Sequence, residues 1–457
     1  MVTRARVMRS AQPRRAEPMS PPHSGPRLPA DTCWARQCTA RARILQAAES
    51  VIASAGPRAS LADIAAAAGI LAGSLYHHFS SKEELLFELV QRFRADIDGV
   101  AKAALDDTDH RQASPFPAGF YDFGSAIARC AARHPAALQM SFFEAASANP
   151  SLSLLLSARP TTLQYTMTQI LAAGAANGLL RSGVAISALA DRICQSLMHV
   201  GLDVIRHTAA AEDVAALLCR IMTTGLSSQP PTDDELDSSA AFAAAEKAIG
   251  SWGEDSHVEV TGKSAYIHAV AREQFGRRGY EATTMRDIIE ATALGPARVY
   301  SVVGSKDRLF RAIIEAFGRK AGGGFAEVLA SDATAVEKLD ALSWVNINAI
   351  DRFPHEWKIQ LAWLRQHPPN TPEPGLAFAQ RLAELESLLR EGIRSHDLQM
   401  HTSSLEMLAR CVMAVLWIPE NLVHRLGRRA ALRLARDTVI RGIADRSLTP
   451  TRGPART

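Results

Sequence analysis

The sequence predicts an all-α protein made of two tandem helical units, on three observations. Gly and Pro, 28 and 23 of 457 residues, are scattered among Ala- and Leu-rich tracts, and aromatics make up only 6%. That composition favours helices over twisted sheets. The 47% hydrophobic content over this length fills two or three cores rather than one. Finally, "LAGSLYHHFSSKEELL", Leu71 to Leu86, is echoed by "GPARVYSVVGSKDRLF", Gly295 to Phe310.

Residues 1–40 hold seven Arg against Glu17 and Asp31 and contain "QPRRAEPMSPPHSGPRLP". Rich in Pro and Arg and without helical apolar spacing, they read as a disordered basic arm. Such a basic segment suggests a polyanionic partner, or it is a floppy tail ahead of a true start at Met8 or Met19. From Arg41 the pattern changes. Ile44, Leu45, Ala48, Val51 and Ile52 form the stripe of an amphipathic helix that ends at Gly56-Pro57.

A second helix opens at "SLAD", where Ser60 and Asp63 make a capping-box start. Its small Ala65 lets two helices approach closely. Gly69 supplies a left-handed turn residue without a Cβ penalty, and Leu75 anchors the next helix. This spacing is that of a helix-turn-helix. The short helix "GSLYHHF" then stands proud of the body, with Phe79 assigned to the core. Ser81 and Glu84 cap the long helix that follows.

The same grammar recurs downstream. Ile44/Ile267, Gly56/Gly279, Asp63/Asp287, Ile64/Ile288, Tyr76/Tyr300, Lys82/Lys306 and Leu85/Leu309 pair at an offset of 223 or 224 residues, an internal duplication. Between the copies, residues 228–262 hold Lys247 alone against eight acids and read as an acidic linker that DNA would repel. The expected domains are the arm at 1–40, a first head at 41–92 and a first helical body at 93–227. The linker at 228–262, a second, partly degenerate head at 263–318, a second body at 319–447 and a flexible tail at 448–457 complete the chain. Paired apolar helices end each body: "ISALADRICQSLMHVGLDVIRH" with "EDVAALLCRIMTTGL", and "SLEMLARCVMAVLWIPENLVHRL" with "RRAALRLARDTVIRGIAD". Such pairs suit a helix-bundle interface.

At "SLADIAAAAGILAGSLYHHFSSKEEL" and "TMRDIIEATALGPARVYSVVGSKDRL" the chain resembles the tetracycline-repressor (TetR)/AcrR-type family of bacterial transcription regulators, present as two fused copies. The likeness covers about fifty residues in each half. It implies three-helix DNA-binding heads, each followed by a larger helical-bundle effector and dimerisation domain. It also implies that "AGSLYHHF" lies in the major groove. By that analogy Ala72, Gly73 and Ser74 face bases, Tyr76, His78 and Lys82 hold phosphates, and Ser60 and His77 lie at the same face. Phosphate contacts fix register while base contacts choose sequence.

In the second head Thr284, Arg286, Pro296, Ala297, Arg298, Tyr300 and Lys306 take these places, and Arg298 would read guanine bidentately. That head departs from the pattern. Ala293 stands at the Gly69 position, Ile289 replaces Ala65, and Val302 and Val303 replace His78 and Phe79. Either the turn shifts onto Gly295, with Pro296 as the first helical residue, or this copy binds DNA less well. The first head departs once, with Leu71 where the family usually has a polar cap.

The resemblance further implies a small-molecule effector that moves the heads and releases DNA. Candidate pocket walls are Phe120, Tyr121, Phe142, Phe143 and Tyr165 in the first half, and Trp344, Trp357, Trp363 and Trp417 in the second. They suit an apolar or aromatic ligand. Helix-turn-helix proteins bind as two-fold dimers on half-sites about 34–36 Å apart. A linker of some 36 residues reaches ~120 Å extended and averages ~33 Å as a coil. A single-chain pseudo-dimer reading two unlike half-sites is therefore allowed, as is a homodimer of tandem chains with four heads.

The sequence points away from other classes. No Gly-rich phosphate loop, HExxH or nucleophile elbow is found, so no catalytic residue or cofactor is expected. Cys33, Cys38, Cys130, Cys194, Cys219 and Cys411 form no CxxC or Cys/His cluster, against structural zinc and a disulfide scaffold. No apolar run spans a membrane and no signal core opens the chain, so a cytoplasmic, nucleoid-associated protein is expected. The rival is a helical interaction module whose heads no longer bind DNA.

Overall fold

The computed structural model describes residues 30–55, 59–109, 116–141, 150–207, 209–253, 262–280, 283–366 and 377–446. Two compact units divide the chain, Met1–Arg43 and Ile44–Thr457. In the first, residues 30–43 are helical, so the segment 30–40 is not the disordered arm expected from composition. After Pro29 no Pro or Gly interrupts the sequence until Gly56, and an uninterrupted run of helix formers extends a helix backwards from its amphipathic part. The remainder of the arm, and the tail at 448–457, lie outside the described residues.

In the second unit every described element is helical, apart from two isolated bridges, Leu180 with Ala444 and Ser227 with Leu398. The first head comprises the end of α1 (Ala30–Ala55), α2 (Leu61–Ala67), α3 (Ala72–Leu75) and the start of α4 (Lys82–Asp109). Its body adds α5 (Ala118–Arg133), α6 (Pro135–Ser141), α7 (Pro150–Ser157), α8 (Thr161–Ala176), α9 (Ile186–His207) and α10 (Ala211–Thr224). The second head is α13 (Lys263–Arg278), α14 (Met285–Thr292), α15 (Pro296–Val303) and the start of α16 (Lys306–Ala330). Its body is α17 (Ala335–Arg352), α18 (Pro354–Gln366), α19 (Phe378–Arg394), α20 (Leu405–Leu416), α21 (Glu420–Leu426) and α22 (Arg428–Ala435), continued by a π-helical turn at Arg436–Ile440. Helices α4 and α16 run from head into body, so each head shares a helix with its own body.

The two bodies meet about a local two-fold. Helix α10 ends at Gly225 (φ 72°) and the π-helical turn is followed by Gly442 (φ 73°). Around these glycines the backbone bonds are reciprocal. Leu226 N–H donates to Val439 O at 2.8 Å and Ile443 N–H to Met222 O at 2.9 Å, while Ser227 N–H donates to Ile440 O at 3.1 Å and Ala444 N–H to Thr223 O at 2.9 Å. Residue i meeting j while j meets i is the signature of an isologous interface, here closed within one chain. A Cβ on Gly225 would lie 2.4 Å from Arg441 C, and one on Gly442 would lie 2.3 Å from Thr224 C. Only glycine supplies both the positive φ and this approach. Helices α9 and α10 pack on α20 beside this point, where the sequence expected a bundle interface.

The acidic linker is not a tether. Helices α11 (Asp233–Asp237) and α12 (Ala240–Ser251) lie within it, and α12 packs on α16 and α17 with Phe242, Ala245, Ile249 and Trp252 buried. Two of its described acids are used internally. Asp233 and Asp237 pair with Arg436 at 3.3 and 2.6 Å, and Arg436 also meets the buried Asp340 at 2.9 Å. The count of charges suggested a solvated hinge, but the apolar stripe of α12 decides its place. Residues 254–261 lie outside the described residues.

Candidate nucleic-acid interface

In the first head, Ser60 accepts from Asp63 N–H at 3.1 Å, and the Asp63 carboxylate accepts from Ser60 N–H at 2.9 Å. The capping box read from "SLAD" is present. The Ser60 hydroxyl also donates to Asp63, so its donor is already used. Ser60's hydrogen bonds hold the Asp63 carboxyl below its ordinary value. The Glu84 N–H is capped by Ser81 at 3.2 Å, but the Glu84 carboxylate reaches back to Ser80 N–H at 2.7 Å rather than to Ser81.

Gly69 takes φ 68° at the turn, and Ile64, Ala65, Leu75 and Phe79 are buried. Burying Leu75 and Phe79 stabilises the turn by roughly 1.5–3 kcal/mol each. With those two side chains fixed inward, Ala72, Gly73, Tyr76 and His77 are exposed, and Ser74, His78 and Lys82 are half-buried. Helix α3 itself is a single turn continued by i to i+3 bonds, His77 N–H to Ser74 O and His78 N–H to Leu75 O.

The second head repeats the frame with different chemistry. Thr284 and Asp287 form the same box. Bonds from Thr284, with Arg278 beside it, hold the Asp287 carboxyl down to about 2. The left-handed turn stays at Ala293 (φ 53°), while Gly295 has φ −64° and caps α15, with Pro296 in its first turn. Of the two alternatives the sequence left open, the shift of the turn onto Gly295 does not occur, although Pro296 does open the helix. Helix α15 covers eight residues, two turns against one in α3. Val303 fills the place of Phe79, and Pro296, Ala297, Arg298, Tyr300 and Val302 are exposed. Arg286 is exposed and paired with Glu290 at 2.8 Å, and the Lys306 ammonium lies 4.2 Å over the Tyr280 ring.

Residues 44–89 and 267–313 each match the family described as bacterial regulatory proteins, tetR family. Both heads belong to the tetR family. The chain is 48% identical over 60 residues to the HTH-type transcriptional repressor KstR2 of Rhodococcus jostii, covering 13% of this chain and 29% of that protein. It is 52% identical over 54 residues to KstR2 of Mycobacterium tuberculosis strain H37Rv, covering 12% and 27%. The matches thus span under a third of those relatives. The solved structure of ketosteroid transcriptional regulator KstR2 of M. tuberculosis aligns with 39% of this chain and 95% of its own, at 16% identity and a TM-score of 0.33.

Each tetR-family head joins its body through a polar hinge that the sequence reading missed. In the first half, Glu49 of α1 accepts from Ala136 N–H at 2.8 Å. His134 lies between Glu49, at 3.7 Å, and Asp96 of α4, at 2.8 Å. Burial alone would lower the His134 pKa, but the two carboxylates raise it above the ordinary value. In the second half Arg272 stands on α13 at the position of Glu49 and pairs with the buried Glu356 of α18 at 3.2 Å. Phe353 replaces His134 in "RFPHEW" against "RHPAAL". The shared Arg-x-Pro signal was available, but not the inverted charge across it.

The aromatic candidates scatter. Phe120 is fully buried beside Phe116 and Tyr121, and Tyr165 is 57% exposed. Phe142 and Phe143 lie outside the described residues. Trp363 packs on the second head's core. Trp344 borders an open cleft of about 550 Å³, together with Glu246, Asn348, Arg428, Arg429 and Arg433. Trp357 and Trp417 meet edge to face at 5.4 Å, and their buried indole N–H groups have no protein acceptor. Among the described residues no cluster of side chains fits a metal ion, and no helix is long and apolar enough to cross a membrane.

Proposed function

We propose that the chain is a ligand-responsive transcriptional regulator, acting as a repressor, whose two heads bind one operator as a single-chain pseudo-dimer. The observation that carries this reading is the reciprocal bonding around Gly225 and Gly442, which gives one chain the two-fold relation that paired half-sites require. The exposed Tyr76 and Tyr300 stand at matching places in the sequence, each six residues before a lysine, Lys82 and Lys306. The packed α11–α12 segment supports the same reading, since it is folded onto the second body rather than left as a free tether between the halves.

The effector site we assign lies at Trp357 and Trp417, where a flat ligand bearing a carbonyl or carboxylate oxygen would satisfy two buried donors. The site adjoins His199 of the first half, whose ring lies 5.1 Å from Trp417. Occupancy there would bear on both halves, and it releases DNA only if the ligand prefers the released state.

Incubation with sheared genomic DNA at moderate salt, recovery of bound fragments and measurement of the complex mass test the proposal. One chain on two unlike half-sites at fixed spacing is expected. A symmetric palindrome holding two chains would replace the pseudo-dimer by a true dimer. If no sequence is enriched at any salt, the chain is a helical interaction module.

A further inference from the structure

The base-facing end of the first recognition helix is apolar, and that has a chemical meaning. Leu71 is 80% exposed, the most exposed large hydrophobic side chain among the described residues, and it occupies the cap position of α3 without making a side-chain cap bond. Ser, Thr, Asp or Asn there would accept from a free N–H of the first turn and stabilise the helix, so Leu71 is not placed for the fold. Beside it Ala72 and Gly73 are exposed, and a Cβ added to Gly73 would meet nothing within 4 Å. Two minimal side chains let the backbone approach a groove floor closely and leave Leu71 as the projecting group.

Residues at the N-terminal end of a recognition helix are the ones that reach base edges. The apolar feature on the major-groove floor is the thymine C5-methyl group. In the second head the aligned residue is Gly295, followed by Pro296 and Ala297, and the projecting group is Arg298. The two heads thus offer different chemistry at the same end of the same helix.

We propose that Leu71 selects a thymine in the first half-site by packing on its C5-methyl group, with no counterpart in the second half-site. The inference rests on the DNA-reading function proposed above. It adds a base and a residue to the expectation that the half-sites differ.

The test uses the full-length protein and the operator recovered from genomic fragments. Each thymine of the first half-site is replaced singly by uracil, which removes the methyl group and leaves the pairing edge intact. The expected result is one thymine whose replacement weakens wild-type binding about fourfold, the worth of one buried methyl-sized group. Leu71→Ala should bind the two DNAs equally, and uracil at the corresponding place of the second half-site should change nothing. Because Leu71 is exposed, Leu71→Ala should melt with the wild type. The same thymine-to-uracil ratio in both proteins overturns the assignment to Leu71 while leaving the DNA reader standing, as does a first half-site insensitive to uracil. Absence of any recovered operator overturns the regulator reading and this assignment together.

Discussion

The two heads differ less in quality than in how each is held. The first head has the turn glycine, yet its recognition helix is one turn long, and its core runs without a break into the body from Ile44 and Phe79 to Phe120 and Leu197. The second head has a strained alanine in the turn, yet its recognition helix is regular. Its core is a separate cluster of Ile267, Phe275, Ile288, Val299, Val303 and Phe310, tied to the body by Ile359 and Trp363. A head continuous with its body must move with it, whereas one with its own core has a smaller apolar connection to break. The lesson is that departures from a motif at the turn do not measure whether the reading helix forms.

The strongest test of this comparison removes the frame that relates the heads. Gly442→Ala puts a Cβ against the Thr224–Gly225 backbone at a positive φ and should cost about 3–5 kcal/mol. Urea unfolding would read that loss, and any folded fraction should retain half-site binding but lose the fixed spacing.

Next is Arg298→Ala, expected to cost about 1–3 kcal/mol in operator affinity and to relax specificity in the second half-site alone. Fragment selection with the variant reads this directly, and unchanged preference at both half-sites would demote the second head to a scaffold. Substituting Tyr76 by Phe and Lys82 by Gln should instead weaken binding to all sequences. The slope of log affinity against log salt should fall by about one with the lost Lys82 charge.

Swapping the turn residues sharpens the contrast in stability. Ala293→Gly should stabilise the second head by about 1 kcal/mol, and Gly69→Ala should destabilise the first by roughly 1–2 kcal/mol. Hydrogen exchange resolved by head would show each effect confined to its own core.

The smallest effect is the pH response of the hinges. The His134 pKa is raised in the fold. Its contribution is therefore complete below the unfolded value of about 6.5 and is lost as pH rises through the folded value. Exchange in the first head, corrected for intrinsic rates, should quicken as pH rises above about 6.5, while the second, held by Arg272 and Glu356, should not quicken with it. His134→Phe, which copies the second half, should abolish the difference; a persisting pH response would place its origin elsewhere.

Much of this was legible in the sequence because it is local. Capping boxes at Ser60 and Thr284, the buried Leu75 and Phe79, and the exposed Tyr76 and Tyr300 follow from spacing along one helix and the turn before it, where side-chain direction is set by backbone geometry. The duplication was legible for the same reason, down to the paired apolar helices that end each half, though the meeting of those ends at Gly225 and Gly442 was not. Composition misled at residues 228–262, where eight acids outweighed the apolar stripe of Phe242, Ala245 and Ile249 in the reading but not in the fold.

The sequence by itself therefore determined the helices, their caps, the two heads and the faces those heads present. Only the tertiary structure decided that Gly225 abuts Gly442, that the acids of α11 neutralise Arg436, and that one hinge carries a histidine where the other carries an ion pair. Those contacts join residues about 40 to more than 200 positions apart. Their partners are chosen by shape and charge in three dimensions, which no periodicity along the chain records.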